Sequence, residues 1–261
     1  MIELTILLEN SKPENSPLAA EHGLSILVET PRKKFIFDTG QSDLTWKNAA
    51  RLGIDLASID FVVLSHSHYD HAGGFKTMPV KPKTLYVGKG FWNEKFSRVD
   101  GGYKYRGAGF SANDLEPWNV RQKVCGNRLD LDDDAWLIGN FVKKYPFETI
   151  PPKFVCGVDK HPDAFDDEIC LALRGADGLT LIVGCSHVGI LNIVSTVRNR
   201  LNYPVSEVIG GIHLSAASDE RRAATINELK NLGVKRLNLC HCSGVSNVAT
   251  GSKIKIGVNV I

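Results

Sequence analysis

Residues 63–74 read VLSHSHYDHAGG: His66, His68, Asp70 and His71 fall within six positions directly behind an apolar run, and Gly73-Gly74 follow. Imidazole is a borderline ligand and carboxylate a hard one, so this mixture suits a divalent metal ion. His66 and His68, two apart, can turn toward one point where the chain leaves a strand. Asp70 and His71 lie on the next stretch and can serve a second ion. Two ions about 3.5–4 Å apart would acidify a shared water and neutralise charge developing on a phosphoryl or carbonyl group. The two glycines are expected to let the chain turn tightly behind the ligands. A lone histidine at a strand end is more often a hydrogen-bonded structural residue, but four clustered polar groups are not explained so simply.

Other histidines fall at similar places. His187 follows LTLIVGCS, His213 lies in VIGGIHL, and His241 lies in LNLCHC. Three strands of one sheet are thus expected to deliver histidines at their C-terminal ends, the edge where open α/β sheets bind ligands. His187 and His241 are needed because the first cluster alone cannot complete two coordination shells. Taken singly, His22 and His161 read as structural residues.

The elements that must position these groups alternate. IELTILLEN, LSILVET and KKFIFDTG read as strands, SDLTWKNAARLG as a helix with Gly53 as its stop, and IDFVVLSH as a strand covered on both faces. Later, LTLIVGCSH, VSEVIGGIHL and KRLNLCHCSG read as strands, separated by the helices GILNIVSTVRNRL and DERRAATINELKNLG. This is layered α/β architecture. The stretch at about 75–162 is different, rich in glycine, lysine and aromatic residues with poor periodicity, and is expected to be an insertion covering the site.

The chain has 261 residues, 43% of them apolar, and a net charge of +2. That size suits a single domain, and the near-neutral balance gives no argument for a nucleic-acid or membrane partner. The N-terminal MIELTILLENSKPEN turns polar too soon for a signal peptide, and no apolar run approaches the ~20 residues of a membrane span. The six cysteines show no C-x-x-C pair, a pattern expected of reduced thiols in the cytoplasm.

The run His66-Ser67-His68-Tyr69-Asp70-His71 resembles the metal-binding signature of the metallo-β-lactamase superfamily. Phe37-Asp38-Thr39-Gly40 resembles the aspartate-bearing turn upstream, and His241 falls where the last histidine ligand is expected. A closer resemblance is to the 7,8-dihydropterin-6-methyl-4-(β-D-ribofuranosyl)-aminobenzene-5′-phosphate synthase-like branch. It is carried by EHGLSILVE, FDTGQSDLTWKNAARLGIDL, SHSHYDHAGG, GCSHVGILN, GGIHL and HCSG. The resemblance implies a four-layer αββα sandwich formed by one domain over residues 1–261. It also implies two divalent ions, zinc in the first place, with manganese, iron or magnesium as alternatives. One would lie near His66 and His68, the other near Asp70 and His71, with His187 and His241 completing the set. Many members carry a bridging aspartate where this chain has Cys185, and no third histidine precedes LTLIVG in the usual place. His161 and Asp166-Asp167-Glu168 are the only polar candidates there, so His187 is expected to stand in.

Two reactions use such a site. In the first, water attacks a phosphoryl or carbonyl centre, with Asp70 orienting it and His213 as general acid. In the synthase-like reaction, the ions hold the diphosphate of an activated pterin alcohol while an arylamine ribose phosphate attacks. A third reading is a metal-bearing ligand-binding protein with little turnover. The expected partner is a small phosphate-bearing substrate, and a homo-oligomer is open. His22, Glu168, Lys104 and Arg106 are the expected substrate contacts. Lys143, Lys144 and Lys153 are further candidates for a phosphate, and Tyr103, Tyr105, Phe110 and Trp118 for stacking on a flat ring.

Overall fold

Strand β1 (Ile2–Leu8) shows how the layers arise. Ile2, Leu4 and Ile6 enter one apolar cluster and Leu7 another, so both faces of the strand are buried. β2 (Ser25–Glu29) and β3 (Lys34–Phe37) repeat the division, with Ile26, Val28, Phe35 and Phe37 on the first face and Leu27 and Ile36 on the second. The computed structural model describes residues 1–257; residues 258–261 of the expected 1–261 span lie outside the described residues.

After helix α1 (Leu44–Arg51) and strand β4 (Phe61–Val63), the motif itself forms the short helix α2 (Tyr69–Ala72). Strands β5 (Thr84–Gly88), β6 (Lys95–Val99), β7 (Gly102–Tyr105), β8 (Arg121–Cys125), β9 (Arg128–Asp132) and β10 (Ala135–Gly139) follow. Then come β11 (Phe154–Cys156), β12 (His161–Pro162), β13 (Ile169–Gly175) and β14 (Gly178–Val183). Helix α3 (Ile190–Leu201), β15 (Val205–Gly210), helix α4 (Asp219–Asn231), β16 (Arg236–Leu239) and β17 (Lys253–Ile256) end the described chain.

The strands form a seven-stranded sheet in the order β17-β1-β2-β3-β4-β5-β8 and a six-stranded sheet in the order β16-β15-β14-β13-β10-β9. Their inner faces share one core, in which Leu4, Ile26, Phe35 and Val63 meet Leu137, Leu171, Ile182 and Ile209. Helix α1 covers the outer face of the first sheet through Trp46. Helices α3 and α4 cover the outer face of the second, with Ile193, Val194, Val197 and Leu229 against Leu181, Val183 and Val208. This is the expected four-layer αββα sandwich. No described helix is long and apolar enough to cross a membrane.

One expectation of the fold changes. The stretch at 75–162 is not one insertion: β5 and β8 complete the first sheet, and β9 and β10 complete the second. Only β6, β7, β11 and β12 form a separate four-stranded sheet. β8 (RQKVC) and β9 (RLDLD) are edge strands, and the charges that protect an edge hide the apolar alternation. The strands that carry His187, His213 and His241 share one sheet as expected, but β4, which leads into the His66 motif, belongs to the other. β4 lies in the first, while β14, β15 and β16 run parallel in the second, and their C-terminal ends face each other across the core.

Candidate metal centre

The site begins at Asp38, directly after β3, in a left-handed conformation (φ 59°) and fully buried. Its Oδ1 accepts the Ser65 backbone N–H at 2.7 Å, and its Oδ2 accepts the Ser65 hydroxyl at 2.8 Å. The same Oδ2 lies 2.7 Å from His71 Nδ1. These contacts set two tautomers. With its proton given to Asp38, the Ser65 oxygen must accept from His66 Nδ1, 2.9 Å away, so His66 Nε2 carries the lone pair. His71 likewise donates Nδ1–H to the carboxylate and turns Nε2 inward.

His66, His68 and His187 bring ring nitrogens to within 4.8 Å of one another. His66 Nε2, His68 Nε2 and both ring nitrogens of His187 are buried without a hydrogen-bond partner among the described residues. A buried unpaired polar group costs about 1–3 kcal/mol, so this set needs an explanation, and a shared cation would take one nitrogen from each of the three rings. Burial lowers the pKa of all three imidazoles, that of His68 to about 3, which keeps them neutral and able to ligate. The residues therefore fit a divalent ion.

A second cluster lies beside the first. Asp70 Oδ2 is 3.1 Å from His22 Nε2 and 3.3 Å from His241 Nε2, and His71 Nε2 is 3.1 Å from His241 Nε2. Burial alone would raise the Asp70 carboxyl, but His71, His22 and His241 outweigh it and hold it well below the usual carboxylate range. His241 is aimed by the end of β1: its N–H donates to Glu9 Oε1 at 2.7 Å, and its Nδ1 lies 2.9 Å from Asn10 Oδ1. Cys185 sits between the clusters with Sγ 3.1 Å from His71 Nε2, and burial pushes its thiol well above the ordinary value.

Close backbone approach holds this geometry. A Cβ on Gly184 would stand 2.1 Å from Ser65 Oγ, so only glycine lets the two sheets meet here. Gly73 and Gly74 do not act as expected: neither has a positive φ, and Gly73 is helical at φ −62°. Their role is proximity, since a Cβ on Gly74 would lie 2.0 Å from the Thr39 carbonyl oxygen. Gly74→Ala is expected to destabilise the fold by about 1–3 kcal/mol in urea unfolding, as overpacking does. An unchanged midpoint would contradict this assignment. Among the nine described non-glycine residues with positive φ, Asp38, Phe165, Ser186, His213 and His241 all belong to this region, so backbone strain concentrates where side chains converge.

The clusters floor a cavity of about 480 Å³ lined by Asn10, His22, His68, Asp70, His187, His213 and His241 on one side. The small sheet supplies Ser97, Arg98, Arg106, Lys153 and Phe154 on the other. A cavity of about 450 Å³ beside Arg198 and Tyr203 is as large but gathers no histidine, cysteine or carboxylate, so chemistry rather than size marks the site.

Not every expected contact is there. Lys104 is exposed on β7 and does not line the cavity, whereas Arg106, just past the end of that strand, does. Glu168 is buried and turned to backbone, accepting the N–H groups of His187 and Val188 at 2.8 Å each; it shapes the His187 turn and does not line the cavity. Lys143 and Lys144 line other cavities, and Phe110 and Trp118 pack on Phe75. His161 lies beside Cys156, and Asp167 pairs with Lys95, so neither is in the clusters. His22 joins the second cluster and also lines the cavity. His213 lines it too, but burial, then Lys153 and His241, lower its pKa to about 4. At neutral pH the ring is therefore a neutral imidazole and not the imidazolium that a general acid would need.

Sequence reasoning missed Glu9, Asn10, Lys95, Phe154 and Phe165. Only the polar pair closing ILLEN, at a strand end like the histidines, carried any signal.

The profile of the metallo-β-lactamase superfamily matches residues 19–88, which span the Asp38 turn and the histidine motif. The chain is 30% identical to 7,8-dihydropterin-6-methyl-4-(β-D-ribofuranosyl)-aminobenzene-5′-phosphate synthase of Methanocaldococcus jannaschii, over 93% of this chain and 88% of that protein. It is 28% identical to an uncharacterised protein of the same organism, over 92% of this chain and 90% of the other. A crystal structure described as a metal-dependent hydrolase of the β-lactamase superfamily superposes with a TM-score of 0.84 at 27% identity, covering 98% of this chain and all of that one. With the buried histidine clusters at the facing sheet ends, these likenesses show that the chain belongs to the metallo-β-lactamase superfamily and, within it, resembles the branch of the pterin-related synthase.

Proposed function

We propose that this protein is an enzyme that holds two divalent ions, zinc foremost, and acts on a small phosphate-bearing molecule. The observation that carries the reading is the set of buried, unpartnered imidazole nitrogens of His66, His68 and His187 beside Asp70, His71 and His241. When bound, divalent ions there would supply Lewis acidity and neutralise charge on a departing diphosphate or an attacked phosphoryl group. The residues do the rest. Asp70, ionised among its histidines, holds one end of the site and orients the attacking group. His213 offers a neutral imidazole at the cavity wall. Arg98, Arg106 and Lys153 lie on the opposite wall, and among the described residues none of the three is paired with a carboxylate. Their free charge suits a phosphate held away from the reacting centre. Phe154 gives the same wall an aromatic surface on which a flat ring can lie.

Condensation of an activated pterin alcohol with an arylamine ribose phosphate is the favoured reaction, supported by the name of the 30% identical relative. Hydrolysis is the second reading, supported by the description of the superposed structure. The test supplies zinc- or manganese-loaded protein with the pterin diphosphate, with and without the arylamine, and follows diphosphate release. Release that requires the amine is the expected result. Equal release without it would establish hydrolysis, and no release on these compounds or on generic phosphodiesters would sink both.

A further inference from the structure

His187 differs from His66, His71 and His241. His66, His71 and His241 each place Nδ1 against an oxygen that fixes the ring, whereas neither nitrogen of His187 has such a partner among the described residues. A metal-binding histidine almost always has a second hydrogen bond to orient it. His187 instead has a ring face. Phe165 lies flat on it with centroids 3.9 Å apart and planes 18° from parallel. Phe165 in turn presents itself edgewise to His68 at 5.3 Å and to Phe154 at 5.6 Å. It occupies this place at φ 54°, an unfavourable backbone for an aromatic residue, so something must hold it there.

That support is a buried ion cluster. Lys95, 2% exposed on β6, places Nζ 4.8 Å from the Phe165 ring centroid. The same ammonium contacts Asp163 at 2.8 Å and Asp167 at 2.7 Å. Asp163 Oδ1 accepts the Phe165 backbone N–H at 2.8 Å, which fixes the strained residue. Asp167 Oδ2 accepts both the backbone N–H and the hydroxyl of Ser67, the residue between His66 and His68, at 2.9 and 3.0 Å. One charge on the small sheet therefore reaches all three histidines, through a ring on one side and a backbone turn on the other.

We propose that Phe165, held by Lys95, Asp163 and Asp167, is a positioning residue that orients His187 by stacking, so that the small sheet preorganises the three-histidine cluster. The proposal rests on the reading that this cluster binds a divalent ion. Its test therefore measures zinc affinity of metal-free protein by competition with a chromophoric chelator, in two backgrounds. Asp70→Ala leaves the three-histidine cluster to be titrated by itself, and His187→Ala leaves the second. Adding Phe165→Leu is expected to weaken zinc about 10–100-fold in the Asp70→Ala background, the usual effect of losing a supporting contact. In the His187→Ala background it should change affinity less than about twofold, because there is no ring left to orient. Near-UV circular dichroism checks that the variants fold, and Phe165→Met, more flexible and closer in volume, carries the same comparison if leucine does not. Equal losses in both backgrounds would show a general structural role and overturn the proposal, as would no loss in either. If Asp70→Ala protein with Phe165 intact takes up no zinc, the metal reading of the cluster falls with it. Zinc uptake that is indifferent to Phe165 would overturn the stacking role alone.

Discussion

Replacing His66 with alanine is expected to remove one equivalent of divalent metal from the protein. The affinity of the three-histidine cluster should fall by more than the about 10–100-fold that follows loss of a mere supporting contact. His66 Nε2 has no other partner, so its loss leaves two imidazoles facing an incomplete shell. The companion expectation concerns stability and separates a ligand from a structural histidine. In wild-type protein, zinc at about 100 times its Kd should add ~2.7 kcal/mol per bound site. The variant should lose that increment at this cluster while its metal-free form keeps most of the wild-type stability. Its Nδ1 bond to Ser65 is one neutral hydrogen bond, worth about 0.5–1.5 kcal/mol. Zinc titrations followed by thermal unfolding measure both quantities. A large loss of metal-free stability with an unchanged zinc increment would show His66 to be structural.

Asp38→Asn is expected to be nearly as damaging, for a different reason. Asp38 is wholly buried and its two oxygens serve Ser65 twice and His71 once. An amide places a donor where one of these oxygens accepts, and it removes the charge opposite His71. Breaking a buried pair by removing one partner costs about 3–5 kcal/mol. Burial by itself would lower the His71 imidazole, yet Asp38 and Asp70 outweigh it and hold it up at about 9. A folded value above the ordinary 6.5 means that the pair's contribution is fully present below that pH and lost as pH rises through about 9. In metal-free protein the stability gap between wild type and Asp38→Asn should thus be widest at pH 6 and shrink toward pH 10. Urea unfolding at pH 6, 8 and 10 measures it, and a gap that does not change with pH would contradict this pairing.

The layers were legible because the inner strands are buried on both faces and their apolar runs are continuous, as in FVV of β4 or LTLIV of β14. β8 and β9 were not, because an edge strand shows its charges to water. The ligand set was legible for a local reason: His66, His68, Asp70 and His71 are neighbours in sequence before they are neighbours in space. What supports them is not local. Lys95 meets Asp167 across 72 residues, and His241 meets Asn10 across 231, with no spacing rule to join them. Glu168 was visible as a polar residue near the site but not as a carboxylate turned toward backbone N–H groups. His213 was visible as a histidine but not as one that burial keeps neutral. Composition shows which groups are present, whereas burial decides which protonation state they hold.

Anomalous diffraction at the zinc edge, on crystals of the zinc-loaded protein, tests the central claim most directly. Two peaks are expected in the cavity, one ringed by His66, His68 and His187, the other by Asp70, His71 and His241. A well-ordered zinc-loaded crystal with no peak among His66, His68 and His187, and with those imidazoles hydrogen-bonded to water or protein, would contradict the account.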